Sequence, residues 1–177
     1  LSDATFKGFE IVAEACWHLA RTGLDVEWRI AGLQADSWSV RMARAKLRGR
    51  FPDRHFRFLG KQDAAGLVDS MLRSHVYVLS SHSENSPNSL AEAMMLGMPC
   101  VSTLAGGSGT YLHDRQTGLL VQSGDPHGMA GAILELLQAP DLAASLGAAA
   151  RQAALERHDP DKVKAQVRHA YDTLLRD

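Results

Sequence analysis

The run Val76-Tyr77-Val78-Leu79 is apolar at every position. A strand with one solvated face alternates apolar and polar side chains. A run without alternation belongs to a strand covered on both faces, as in a parallel sheet clad in helices. Further stretches that read as strands cover residues 26–31, closed by Gly32, residues 55–59, closed by Gly60, and residues 100–103 and 119–121. Stretches with helical spacing lie between them. Residues 6–21 carry Phe6, Phe9, Val12, Cys16 and Leu19 at that spacing, with Asp3 or Thr5 as the cap and Gly23 as the stop. Residues 38–47, 64–73 (behind Asp63) and 87–96 (ahead of Gly97 and Pro99) supply three more helices. Strand and helix in alternation specify an α/β fold: a Rossmann-like doubly wound parallel sheet, with its ligand crevice at the C-terminal ends of the strands. From residue 126 to 177 the chain reads as helical, in segments 129–137, 142–156 (rich in Ala) and a third after Pro160 with Val163, Val167, Tyr171 and Leu174 on one stripe. Gly106-Gly107-Ser108-Gly109 reads as a flexible turn.

At 177 residues, 45% apolar and 22% charged, the chain is one globular domain with a real core. A formal net charge of -1 argues against a broad nucleic-acid footprint. Arg41, Arg44, Lys46 and Arg48 form a basic outer face on the 38–47 helix. That face is read as solvated, with contact to a membrane surface as the alternative. No apolar run is long enough to span a bilayer, and no signal-peptide pattern opens the chain. Cys16 and Cys100 read as reduced core thiols of a cytoplasmic protein. The eight His are scattered without ligand spacing, so no metal site is expected. His55, His75, His82, His113 and His127 are all read as solvated. The first residue is Leu1, and helical spacing begins at once where a doubly wound sheet opens on a strand. The expectation is a fragment whose first strand lies upstream.

Residues 80–94 carry the chemistry. Glu84 and Glu92 are separated by seven residues, the first in a loop after the 76–79 strand, the second in the helix that follows. Ser86 is a good N-cap and Pro87 a good first helical residue. The amides of Asn88, Ser89 and Leu90 would then lack intrahelical partners and, with the helix dipole, would suit a diphosphate. The two acids flank that spot and can accept hydrogen bonds from sugar hydroxyls. Each feature has a plainer reading: an ordinary capped helix, a solvated loop acid at Glu84, a solvent-facing acid at Glu92. Their joint placement favours the ligand.

This stretch, with Gly97-Met98-Pro99-Cys100-Val101, resembles the donor-site motif of retaining glycosyltransferases of family 4, which have the GT-B fold. Gly106-Gly107, Thr117-Gly118-Leu119-Leu120-Val121, Phe58-Leu59-Gly60 and Lys7-Gly8 fall in the family's order and spacing, so the likeness covers almost the whole chain. The resemblance implies that residues 1–177 are the donor-binding C-terminal half of such an enzyme, with an N-terminal acceptor domain absent from this fragment. It implies a retaining hexosyltransferase that moves a sugar from a UDP or GDP sugar to a carbohydrate or lipid-linked acceptor in polysaccharide or glycoconjugate synthesis. No further cofactor is implied. Glu84 and Lys7 would be the catalytic pair, Glu84 on the transferred sugar and Lys7 on the diphosphate. Glu92 would hold the ribose, Gly60 would border the base, and Ser86, Pro87, Asn88, Ser89 and Leu90 would shape the phosphate site. The enzyme would work in the cytoplasm, at the inner membrane face if peripheral, and the fragment alone would be inactive. Two departures stand out. Thr110 occupies the place of a usual Glu after the double glycine, and Asn85-Ser86 replace a Gly and an aromatic, a variant associated with bacterial surface-polysaccharide enzymes. A nucleotide-sugar epimerase and a non-catalytic nucleotide-sugar binding module are the alternatives.

Overall fold

The computed structural model describes residues 2–175. The strands are β1 (Trp28–Ala31), β2 (Phe56–Gly60), β3 (Tyr77–Leu79), β4 (Cys100–Leu104) and β5 (Leu119–Gln122). The helices are α1 (Phe9–Ala20), α2 (Trp38–Leu47), α3 (Ala64–Leu72), α4 (Asn88–Met95), α5 (Pro126–Gln138), α6 (Pro140–Arg157) and α7 (Pro160–Leu174). Every ladder among the described residues is parallel, including that of β1 and β2, whose paired Arg29 and Arg57 interrupt the apolar pattern.

Among the described residues the sheet is in two pieces, β1-β2 and β3-β4-β5, and no strand precedes α1. Helix α1 joins the pieces because it is apolar on two sides. Ile11, Ala15 and Leu19 pack with Val101 and Leu119 of the larger piece and with Met129 and Ile133 of α5. Phe9, Val12 and Ala13 pack with Ile30 of β1 and with Val40, Ala43 and Leu47 of α2. Phe9 is the centre of an aromatic cluster, its ring centroid 5.6 Å from that of Phe56 and 6.0 Å from that of Phe58. A third cluster sets α4 against α6 through Leu90, Ala93, Met94, Ala150 and Ala154. The alanines of α6 serve this approach. At Gly147 a Cβ would meet the Gly97 carbonyl, so the helix passes against bare backbone there.

Helix starts follow the side chains that can cap them. The carboxylates of Asp63, Asp125 and Asp159 accept amide hydrogen bonds at the starts of α3, α5 and α7. Helix α1 departs from expectation. Neither Asp3 nor Thr5 caps it; a 3-10 turn (Thr5–Lys7) leads into Gly8, whose φ of 68° makes it the N-cap. Asp3 instead crosses to α2 and accepts hydrogen bonds from the Trp38 and Ser39 amides at 2.9 and 2.8 Å. The Gly106–Thr110 segment is likewise an ordered 3-10 turn, not a flexible one. His55 is buried rather than solvated. Its Nδ1 faces the Val26 carbonyl at 2.9 Å and Arg54 Nε donates to its Nε2, which together place the ring proton on Nδ1. Cys16 and Cys100 are buried free thiols, each pushed up to about 12 by burial, and so unreactive.

Candidate functional site

The site forms where the Thr5–Gly8 turn lies against the end of β3. Phe6 O accepts the His82 amide at 2.7 Å and Lys7 O accepts the Ser80 hydroxyl at 2.9 Å. A Cβ on Gly8 would collide with the Ser80 carbonyl, so only glycine lets the turn sit this close. The turn brings Lys7 Nζ to Glu84 Oε1 at 2.6 Å, across 77 residues of sequence. Ser81 Oγ donates to the same carboxylate oxygen at 2.6 Å. Glu84 Oε2 has no hydrogen-bond partner among the described residues. Ser81 is itself fixed from below, because Thr103 Oγ1 donates to its carbonyl at 2.6 Å.

The double glycine clamps the same loop. Gly107 N–H donates to Glu84 O at 2.9 Å. Cβ atoms on Gly106 and Gly107 would strike the carbonyl oxygens of Glu84 and Asn85. The 3-10 turn is thus ordered by contact with the loop, and its glycines are there for close approach rather than mobility. Buried Ser108 completes it by donating to Thr103 O at 2.6 Å and accepting from Ala105 N at 2.9 Å.

Helix α4 starts one residue later than the sequence suggests. Its N-cap is Pro87, and no side chain caps it. Ser86 Oγ instead meets Tyr111 Oη at 2.6 Å. Leu90 N–H donates to Pro87 O at 3.0 Å, so this amide is not open to a ligand as expected. The Asn88 and Ser89 amides make no hydrogen bond among the described residues, and these two are the ones left for an anion. The Ser89 hydroxyl accepts from Tyr77 Oη at 2.7 Å. Burial holds the Tyr77 phenol well above its ordinary range, the Ser89 bond opposes this, and the charges of Cys100, Glu84 and Glu92 add to it.

Glu92 is exposed on α4 and is in no ion pair among the described residues. Gly60 ends β2 with φ 63°, its amide on Leu33 O at 3.1 Å and its missing Cβ facing the Gln34 side chain. No described contact joins it to the Glu84 loop. A cavity of about 650 Å³ lies elsewhere, lined by Tyr111, Glu156, Arg157, His158, Lys162 and Gln166. Thr110 points no acid into the site, since its hydroxyl donates to Gly107 O at 2.8 Å. Sequence reasoning missed Ser81, Thr103, Ser108 and Tyr111, all of which hold the loop. Each is a common residue with no spacing signal, and only the fold gives it a partner.

Residues 3–153 match the family model described as glycosyl transferases group 1. The chain belongs to this family of glycosyl transferases. It is 31% identical over 174 residues to a phosphatidyl-myo-inositol mannosyltransferase of Mycolicibacterium smegmatis, covering 97% of this chain and 43% of that protein. It is 33% identical over 120 residues to an N-acetyl-alpha-D-glucosaminyl L-malate synthase of Bacillus anthracis, 68% of this chain and 31% of that one. Anabaena Alr3699/HepE, solved in complex with UDP, superposes with a TM-score of 0.85 at 20% identity, over 98% of this chain and 47% of that one. The group 1 chain thus spans less than half the length of these relatives. The parallel α/β architecture expected from the resemblance to GT-B enzymes is the architecture observed. No helix among the described residues is long and apolar enough to cross a membrane.

Proposed function

We propose that this chain is the nucleotide-sugar-binding half of a retaining hexosyltransferase, one that moves a sugar from a UDP or GDP sugar to a hydroxyl of a carbohydrate or lipid-linked acceptor. The observation that carries the proposal is the meeting of Lys7, Glu84 and Ser81 in the loop that leads into α4, whose first two amides, of Asn88 and Ser89, are open. An ammonium has three donors, and Glu84 engages one. The others can serve a diphosphate, whose charge grows as the glycosidic bond breaks. The amides and dipole of α4 would stabilise the same charge. Glu84 Oε2 would accept from a hydroxyl of the transferred sugar while Oε1 stays anchored. Glu92 would take the ribose hydroxyls, and Gly60 would border the base. With cation and dipole supplied by the chain, the reading needs no metal.

The acceptor would be bound by a second, N-terminal domain, and the chain alone would bind donor without turnover. The enzyme would act in the cytoplasm. Calorimetric titration with UDP, GDP and their hexose derivatives tests this. The wild type should bind one nucleotide series, and Glu92→Ala, at an exposed position, should weaken it at least tenfold by removing a charged hydrogen-bond acceptor, about 1.5–3 kcal/mol. A wild type that binds none of them, or binding indifferent to Glu92→Ala, overturns the assignment.

A further inference from the structure

Seven of the chain's 19 Lys and Arg fall in residues 38–57, against a single acid, Asp53. The formal charge of the whole chain is -1, so the segment stands out against an acidic remainder. Helix α2 buries Val40, Ala43 and Leu47. The face turned away from them carries Trp38 and Met42, one turn apart and 45% and 50% exposed, with Arg41 and Lys46 on its flanks. Arg48 and Arg50 continue the positive charge past the helix end, and Arg57 adds to it from β2.

Three of these cations have partners within the chain, although the Lys46 side chain stays 54% exposed. Arg44 pairs with Asp53 at 2.6 Å, Lys46 reaches Glu14 at 3.7 Å, and Arg50 lies over the Trp17 ring. Arg41, Arg48 and Arg57 are in no ion pair among the described residues. Asp3, which Arg41 faces, is engaged in bonding the α2 amides.

We propose that this face of α2 docks on an anionic lipid surface, with Trp38 and Met42 at the headgroup boundary and Arg41, Lys46 and Arg48 against the lipid charge. Charge complementarity selects the partner's sign. The exposed aromatic and thioether between the cations select a lipid boundary over a purely polar polyanion. Helix α2 begins where β1 ends, at the strand-exit edge of its sheet piece.

The test needs no sugar and does not rest on the donor assignment. The 177-residue chain is sedimented with vesicles of phosphatidylcholine alone and of equal parts phosphatidylcholine and phosphatidylglycerol. Binding should favour the anionic vesicles at least tenfold. Each basic residue near such a surface contributes about fivefold, so Arg41→Glu with Lys46→Glu and Arg48→Glu should abolish it. Trp38→Ser should weaken it several-fold at unchanged melting temperature. Reversing Lys164 and Arg168, which flank the exposed apolar stripe of α7, should leave it intact. The proposal falls if neutral and anionic vesicles bind equally, if neither binds, if the α7 variant loses binding while the α2 variant keeps it, or if Trp38→Ser binds like wild type.

Discussion

The ion pair of Lys7 and Glu84 should prove unequal in its two halves. Its N–O separation is 2.6 Å, with side-chain exposure of 25% at Lys7 and 9% at Glu84. At that distance the gross attraction is about 2 kcal/mol in a water-like dielectric and about 6 kcal/mol at an effective dielectric near 20. Desolvation takes back much of this. Removing one partner of a fully buried pair costs about 3–5 kcal/mol, because a charge is stranded. Which charge is stranded decides the cost here. Glu84→Gln leaves an ammonium that water reaches, so the loss should be about 1–2 kcal/mol. Lys7→Met leaves a nearly enclosed carboxylate with only the Ser81 hydroxyl, so the loss should be about 2–4 kcal/mol. The double variant should lose less than the sum of the two, by about 1–2 kcal/mol. Urea unfolding of the four proteins measures all three quantities. Additive losses within about 0.3 kcal/mol would mean that the contact carries no coupling. A larger loss in Glu84→Gln than in Lys7→Met would refute the burial argument itself.

Gly107→Ala should detach the 3-10 turn from the Glu84 loop, since its Cβ would overlap the Asn85 carbonyl; a loss of about 1–3 kcal/mol in chemical unfolding is expected, with Gly131→Ala, open on the surface of α5, neutral or stabilising as the control. His18 is held below its ordinary 6.5, first by burial and then by the charge of His127, whose ring centroid lies 3.7 Å from its own at a tilt of 39°. The neutral form is favoured in the fold, so this contribution is complete above pH 6.5 and is lost as pH falls from there through the lower folded value. His18→Gln should therefore flatten the acid-side decline of stability, measured by unfolding midpoints across that range; an unchanged slope would sink the assignment.

The sequence alone was enough for the order of the elements. The unalternating run at residues 76–79, too short for a helix, reads as a strand covered on both faces, and Asp63 sits immediately before the helix it caps. These are local rules, and local chemistry obeys them. The acids of the site were legible for a different reason, as a spacing within a resemblance. The tertiary structure decided the rest. Asp3 caps a helix 35 residues away rather than its own neighbour, and Ser86 gives up its cap to Tyr111 across 25 residues. Each polar side chain takes whichever partner the packed chain brings nearest, and a sequence pattern reports only neighbours along the chain. The same holds for the glycines at 106 and 107. In sequence they signal freedom. In the fold they are fixed, because backbone from the Glu84 loop occupies the space where their side chains would be.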